Sequence, residues 1–123
     1  MAAEFENIFP STTENLLYAL LHTSTLRKPK AFAQQNVTDA VASLTLPTGV
    51  RSAWLVLETD GNETNPAKAC RFRLDGSSPT GSAGLPLGDG GNIRLENPDQ
   101  LSAFKIIAVD GGTTHKLSIQ FFD

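Results

Sequence analysis

The chain has 123 residues with 13 Asp plus Glu against 10 Lys plus Arg, a net charge of −3, which fits one domain and argues against a nucleic-acid surface, where a basic stripe normally meets the phosphates. A single cysteine, Cys70, excludes an internal disulfide framework and a multi-cysteine zinc site. Only 19% of residues are charged while 31 of the 123 are Gly, Ser or Thr, a balance that suits a turn-rich β protein better than a helical bundle.

In chain order, residues 1–33 differ from the rest and read as an N-terminal arm. The start Met1-Ala2-Ala3-Glu4-Phe5-Glu6 is acidic and lacks the basic head of a secretory signal, so cytoplasmic synthesis is expected. Phe5, Ile8 and Phe9 are apolar but irregularly spaced before Pro10. Ser11-Thr12-Thr13-Glu14 has the form of a capping box, and Leu16, Leu17, Leu20 and Leu21 follow as one stripe of a short helix. That helix is expected to end by Thr23-Ser24-Thr25, and Arg27-Lys28-Pro29-Lys30 forms a small basic knot. No apolar run here is long enough to span a membrane. The Asn-x-Thr triplets at Asn36 and Asn62 are read as fortuitous, since glycosylation requires secretion.

Residues 34–123 change to short alternating runs closed by turns, and form the second expected unit. Ala42, Leu44 and Leu46 alternate with Val41, Ser43 and Thr45; Ala53, Leu55 and Leu57 alternate with Trp54, Val56 and Glu58. The same period recurs at Cys70, Phe72 and Leu74, at Ile93 and Leu95, at Phe104, Ile106 and Ala108, and at Leu117, Ile119 and Phe121. A period of two places each set on one face of a strand. Six such strands, eight with weaker ones near 32–37 and 84–87, predict an all-β antiparallel sandwich or jelly roll carrying an arm with one short helix. No run between strands has the helical pattern of a parallel βαβ sheet.

The polar constellations are sparse. His22 and His115 stand far apart with no acid or cysteine at ligand spacing, so a solvated or hydrogen-bonded imidazole is the expectation for each. Asp60-Gly61-Asn62-Glu63-Thr64-Asn65 opens like a calcium loop but lacks the glycine at position six and the glutamate at position twelve, so it is read as a turn, and no metal or cofactor is expected. The glycine-rich stretch 76–91 lacks the lysine and following helix of a phosphate loop, and Ser77, Ser78 and Ser82 lack a nucleophile elbow. Arg71 and Arg73 project opposite Phe72, where arginine suits a partner contact, and Phe122 gives the last strand an aromatic on its second face.

One order of elements is recognisable. Val50-Arg51-Ser52-Ala53-Trp54-Leu55-Val56-Leu57 is followed by Cys70-Arg71-Phe72-Arg73-Leu74-Asp75-Gly76-Ser77-Ser78-Pro79-Thr80, then Gly84-Leu85-Pro86-Leu87, Ile93-Arg94-Leu95-Glu96-Asn97 and Leu101-Ser102-Ala103-Phe104-Lys105-Ile106-Ile107, and the chain closes on Leu117-Ser118-Ile119-Gln120-Phe121-Phe122. This resembles the small β-sandwich virion structural proteins of tailed bacteriophages over residues 41–122; the Asp-Gly-x-x-Pro-Thr turn is its distinctive part. No catalytic residues come with the resemblance. It implies a non-enzymatic capsid decoration or stabilising protein in the virion, a dimer or trimer, whose partner is the major capsid or another virion protein, without nucleic acid or membrane. The expected contacts are Phe5, Ile8, Phe9, Leu16, Leu17, Leu20 and Leu21 as apolar anchors, Arg27, Lys28 and Lys30 as a polar rim, and Arg71, Arg73 and Phe122 on the sandwich. The alternatives are a tail, collar or head-fibre-base component, or a carbohydrate- or receptor-binding module. Against that last reading, Trp54 and Tyr18 are the chain's only Trp and Tyr, and neither falls in an expected exposed loop.

Overall fold

The computed structural model describes residues 27–123. Eight strands carry the fold: β1 (Pro29–Val37), β2 (Ala42–Ser43), β3 (Ser52–Glu58), β4 (Cys70–Arg73), β5 (Leu85–Leu87), β6 (Asn92–Leu95), β7 (Lys105–Ala108) and β8 (His115–Phe122). Among the described residues a single 3₁₀ turn, Pro66–Lys68, precedes β4, and one six-residue helix, α1 (Pro98–Ala103), precedes β7. The strands form two antiparallel sheets of four, ordered β1-β8-β3-β6 and β2-β7-β4-β5. Within them β1 pairs β8, β2 pairs β7, β3 pairs β6 and β4 pairs β5. That is a long hairpin rolled up on itself, the strand order of a jelly roll.

The alternation read from the sequence is what closes the two sheets. Ala53, Leu55, Leu57, Ile93, Leu95, Leu117, Ile119 and Phe121 turn inward from one sheet and meet Cys70, Phe72, Leu87, Ile106 and Ala108 from the other. The Phe72 and Phe104 rings lie 5.8 Å apart at 33° in this layer. Each large side chain buried there contributes about 1.5–3 kcal/mol. Two of the four edge strands are blunted: β1 begins on Pro29 and β5 holds Pro86, neither of which offers a backbone donor to a neighbouring chain.

Three local expectations are corrected. First, β1 begins at Pro29, so residues 29–33, Lys30 included, belong to the sheet and not to the arm. Second, the 42–46 run is a strand over two residues only; Leu44 is buried but Leu46 is 41% exposed, because the chain leaves the sheet at Leu44. Third, the alternating run at Ile93 and Leu95 is closed by a helix and not by a turn alone, because Asn97-Pro98-Asp99 opens α1. The Asn97 side chain caps it by accepting from the Gln100 N–H at 2.9 Å, Pro98 sits in its first turn, and the Gln100 side chain accepts from the Glu96 N–H. The expected helix after Ser11 lies outside the described residues.

Candidate functional site

Two polar constellations and one open face stand out. The first lies where the β3–β4 and β7–β8 loops both cross between the sheets. Asp60 accepts from the Thr114 N–H at 2.8 Å and the Asn62 N–H at 2.9 Å. Asp110 accepts from the Thr64 N–H at 2.6 Å, and the Asp60 N–H donates to His115 Nδ1 at 3.2 Å. These backbone donors, Thr114 foremost, hold the Asp60 carboxyl below its ordinary range. His115 is fully buried because the inward series Leu117, Ile119, Phe121 extends back to it.

Asp60, Glu63 and His115 each bring one candidate metal-ligand atom to within 4.8 Å of the others. The hydrogen bonding gives the cluster a different character. Both Asp60 oxygens hold backbone N–H groups, and an Nδ1 that accepts an N–H carries its ring proton on Nε2, so neither ring nitrogen presents a free electron pair. Asp60 thus ties the two loops together, while Glu63 Oε1 and His115 Nε2 are buried without a hydrogen-bond partner among the described residues. Burial, helped by the Glu63 charge, pushes the nearby Cys70 thiol up to about 12, which makes it a core group and not a nucleophile.

The second constellation is the Asp-Gly-x-x-Pro-Thr loop. Asp75 accepts from the Ser77 N–H at 3.2 Å in an Asx-turn, and Gly76 takes a positive φ of 83°. The Arg73 guanidinium forks onto the Asp75 carboxylate and holds it below the usual carboxylate range. Arg71 donates to the Gly81 carbonyl at 3.2 Å and the Gly84 carbonyl at 2.8 Å. Gly84 has φ +135°, and a side chain there would meet Arg71 Cβ at 3.1 Å and Phe72 O at 3.2 Å. The two arginines, expected at a partner contact, thus act as internal staples for the loop that follows them.

The outer face of the β1-β8-β3-β6 sheet differs. Its cross-strand register sets Phe32, Gln120, Trp54 and Arg94 in one row across the four strands. Phe32 is 63% and Trp54 42% exposed. The Arg94 guanidinium lies 5.3 Å from the Trp54 ring centroid, and the indole N–H donates to Asn92 Oδ1 at 3.4 Å. Beside this row Arg27, Ser52, Trp54, Arg94, Glu96 and Phe122 border a half-open cleft of about 270 Å³. Trp54 is therefore exposed from a strand, which corrects the premise that only a loop would present it.

The structure brings two expected contact residues to this cleft, Arg27 and Phe122; Arg27 donates to the Glu96 carbonyl at 3.1 Å. Lys28 lies just outside β1, its N–H donating to the Asp123 carboxylate at 3.4 Å. Phe5, Ile8, Phe9, Leu16, Leu17, Leu20, Leu21 and His22 lie outside the described residues. Sequence reasoning missed Phe32, Trp54 and Arg94 as a group, although period-two alternation already places Trp54 and Arg94 opposite the core. Comparison with family models, with curated proteins and with solved structures finds no match to this chain.

Proposed function

We propose that this chain is a non-enzymatic structural protein of a bacteriophage particle, a decoration or stabilising subunit held on the outer surface of the capsid shell. The observation that carries the reading is the row of exposed aromatics, Phe32 and Trp54, on the outer face of the β1-β8-β3-β6 sheet. Apolar side chains grouped on one face of a folded domain favour a protein contact. The Asp-Gly-x-x-Pro-Thr loop on which the resemblance to phage virion proteins rests is braced by Arg71 and Arg73, as suits a rigid spacer on a shell. Repeated copies gain attachment strength through multivalency, so each contact needs only modest affinity.

The test is imaging of purified particles at a resolution that distinguishes β-sandwiches. Density for the sandwich on the capsid exterior, with the Phe32–Trp54 face toward the shell or a neighbouring copy, is the expected result. Density at the tail or collar would transfer the role there, and purified native particles that contain no copy of this chain would refute the reading.

A further inference from the structure

We infer that the cleft beside Trp54 binds a carboxylate-bearing saccharide. The site is made by the register of the sheet. Ser52 and Trp54 lie on the same face of β3, Arg94 faces Trp54 from β6, and Phe122 faces Ser52 from β8. Arg27 reaches the same cleft from the residues that lead into β1.

Three features of the lining specify the ligand. Charge comes first. Arg27 and Arg94 against Glu96 make the cleft locally cationic on a chain whose net charge is −3. Among the described residues neither guanidinium is paired with a carboxylate. A guanidinium matches a carboxylate in a two-bond fork, so an acidic group is the complementary partner. The second feature is the ring. Trp54 is 42% exposed and its indole N–H is tied to Asn92, which fixes the ring orientation. The Arg94 guanidinium lies over this ring at 5.3 Å, so cation and indole form one wall of the cleft, and the exposed part of the ring offers apolar surface to a sugar.

The third feature is a hydroxyl. Ser52 is only 4% exposed, borders the cleft, and its Oγ has no hydrogen-bond partner among the described residues. Leaving such a group unpaired costs free energy that a ligand hydroxyl restores. The volume, about 270 Å³, stands just below the roughly 300–1,000 Å³ of drug-sized pockets. It suits one sugar ring with its carboxylate, and further rings would lie along the Gln120 and Phe32 row. The cleft shares Trp54 with the face proposed above for the shell contact, so the saccharide is a ligand of the free chain and competes with that contact.

Trp54 is the only tryptophan of the chain, so its fluorescence reports on the cleft alone. The full chain is titrated with an oligomer of galacturonic acid, with the matching neutral galactose oligomer, and with a short oligo-glutamate peptide. The expected result is a saturable change with the acidic sugar, binding at least about tenfold weaker for the neutral sugar and the peptide, and a similar loss in Arg94→Gln. Far-UV circular dichroism establishes that Arg94→Gln is folded, and Ser52→Ala should weaken binding several-fold. No saturation up to about 10 mM, equal binding of the neutral sugar or of the peptide, or unchanged affinity in folded Arg94→Gln would each overturn the inference.

Discussion

The two sheets present outer faces of opposite character, although both carry outward arginines. On the β2-β7-β4-β5 side, Arg71 and Arg73 leave β4 next to a long loop, and the loop takes them up: one holds two carbonyls, the other a carboxylate. On the β1-β8-β3-β6 side, Arg94 has short connections around it and lies over Trp54 at 5.3 Å, beside an open cleft. An outward arginine is taken up as a structural brace or left beside an open cleft according to the unsatisfied backbone within its reach. Strand position alone does not decide between them.

The sharpest way to break this comparison is at Gly84. Its φ of +135° and the closeness of Arg71 Cβ and Phe72 O mean that Gly84→Ala should cost roughly 1–3 kcal/mol, read as a lower midpoint in urea unfolding. A neutral result would show that the loop is not braced as described. Next comes the contrast of the arginines. Arg71→Ala should lose about 1–2 kcal/mol from its two carbonyl bonds, whereas Arg94→Ala should stay within about 0.5 kcal/mol. Equal losses would erase the distinction between the two faces.

The smallest effect is acid sensitivity. The Asp60 and Asp75 carboxyls are both held below their ordinary 3.8 in the folded chain, Asp60 chiefly by the Thr114 N–H and Asp75 chiefly by Arg73. A depressed carboxyl stabilises the fold fully above its unfolded value and loses that contribution as pH falls through the folded one. The melting temperature should therefore hold steady from neutral pH down to about 5 and decline below about 4. Asp60→Asn should lower the plateau and flatten the decline. A melting temperature that rises on acidification would contradict both assignments.

Much of the sandwich was legible because its core is written in period two. Leu55, Ile106 and Ile119 each fall where alternation places them, and all are buried. The helix α1 was less visible because it is only six residues long and buries one leucine, Leu101, too few turns for a helical period. Its start was nonetheless present as Asn97-Pro98-Asp99-Gln100, a cap, a first-turn proline and a reciprocating side chain. The Asx-turn at Asp75 is local, its partners Asp75 and Ser77 lying two residues apart in the chain. The bracing by Arg71 is not, since its carbonyl partners lie 10 and 13 residues away. The row from Phe32 to Arg94 depends on which strands become neighbours, and β1 joins β3 only through β8, from the far end of the chain. Alternation gives each strand a face; it does not give the order of strands.

The most direct measurement concerns the outer face itself. Particles lacking the native chain are incubated with the wild type and with the double variant Phe32→Ser/Trp54→Ser, and bound copies are counted after sedimentation. The variant should keep its stability within about 1 kcal/mol, since both side chains are exposed, and should lose most of its occupancy. Full occupancy by the folded double variant would contradict the account.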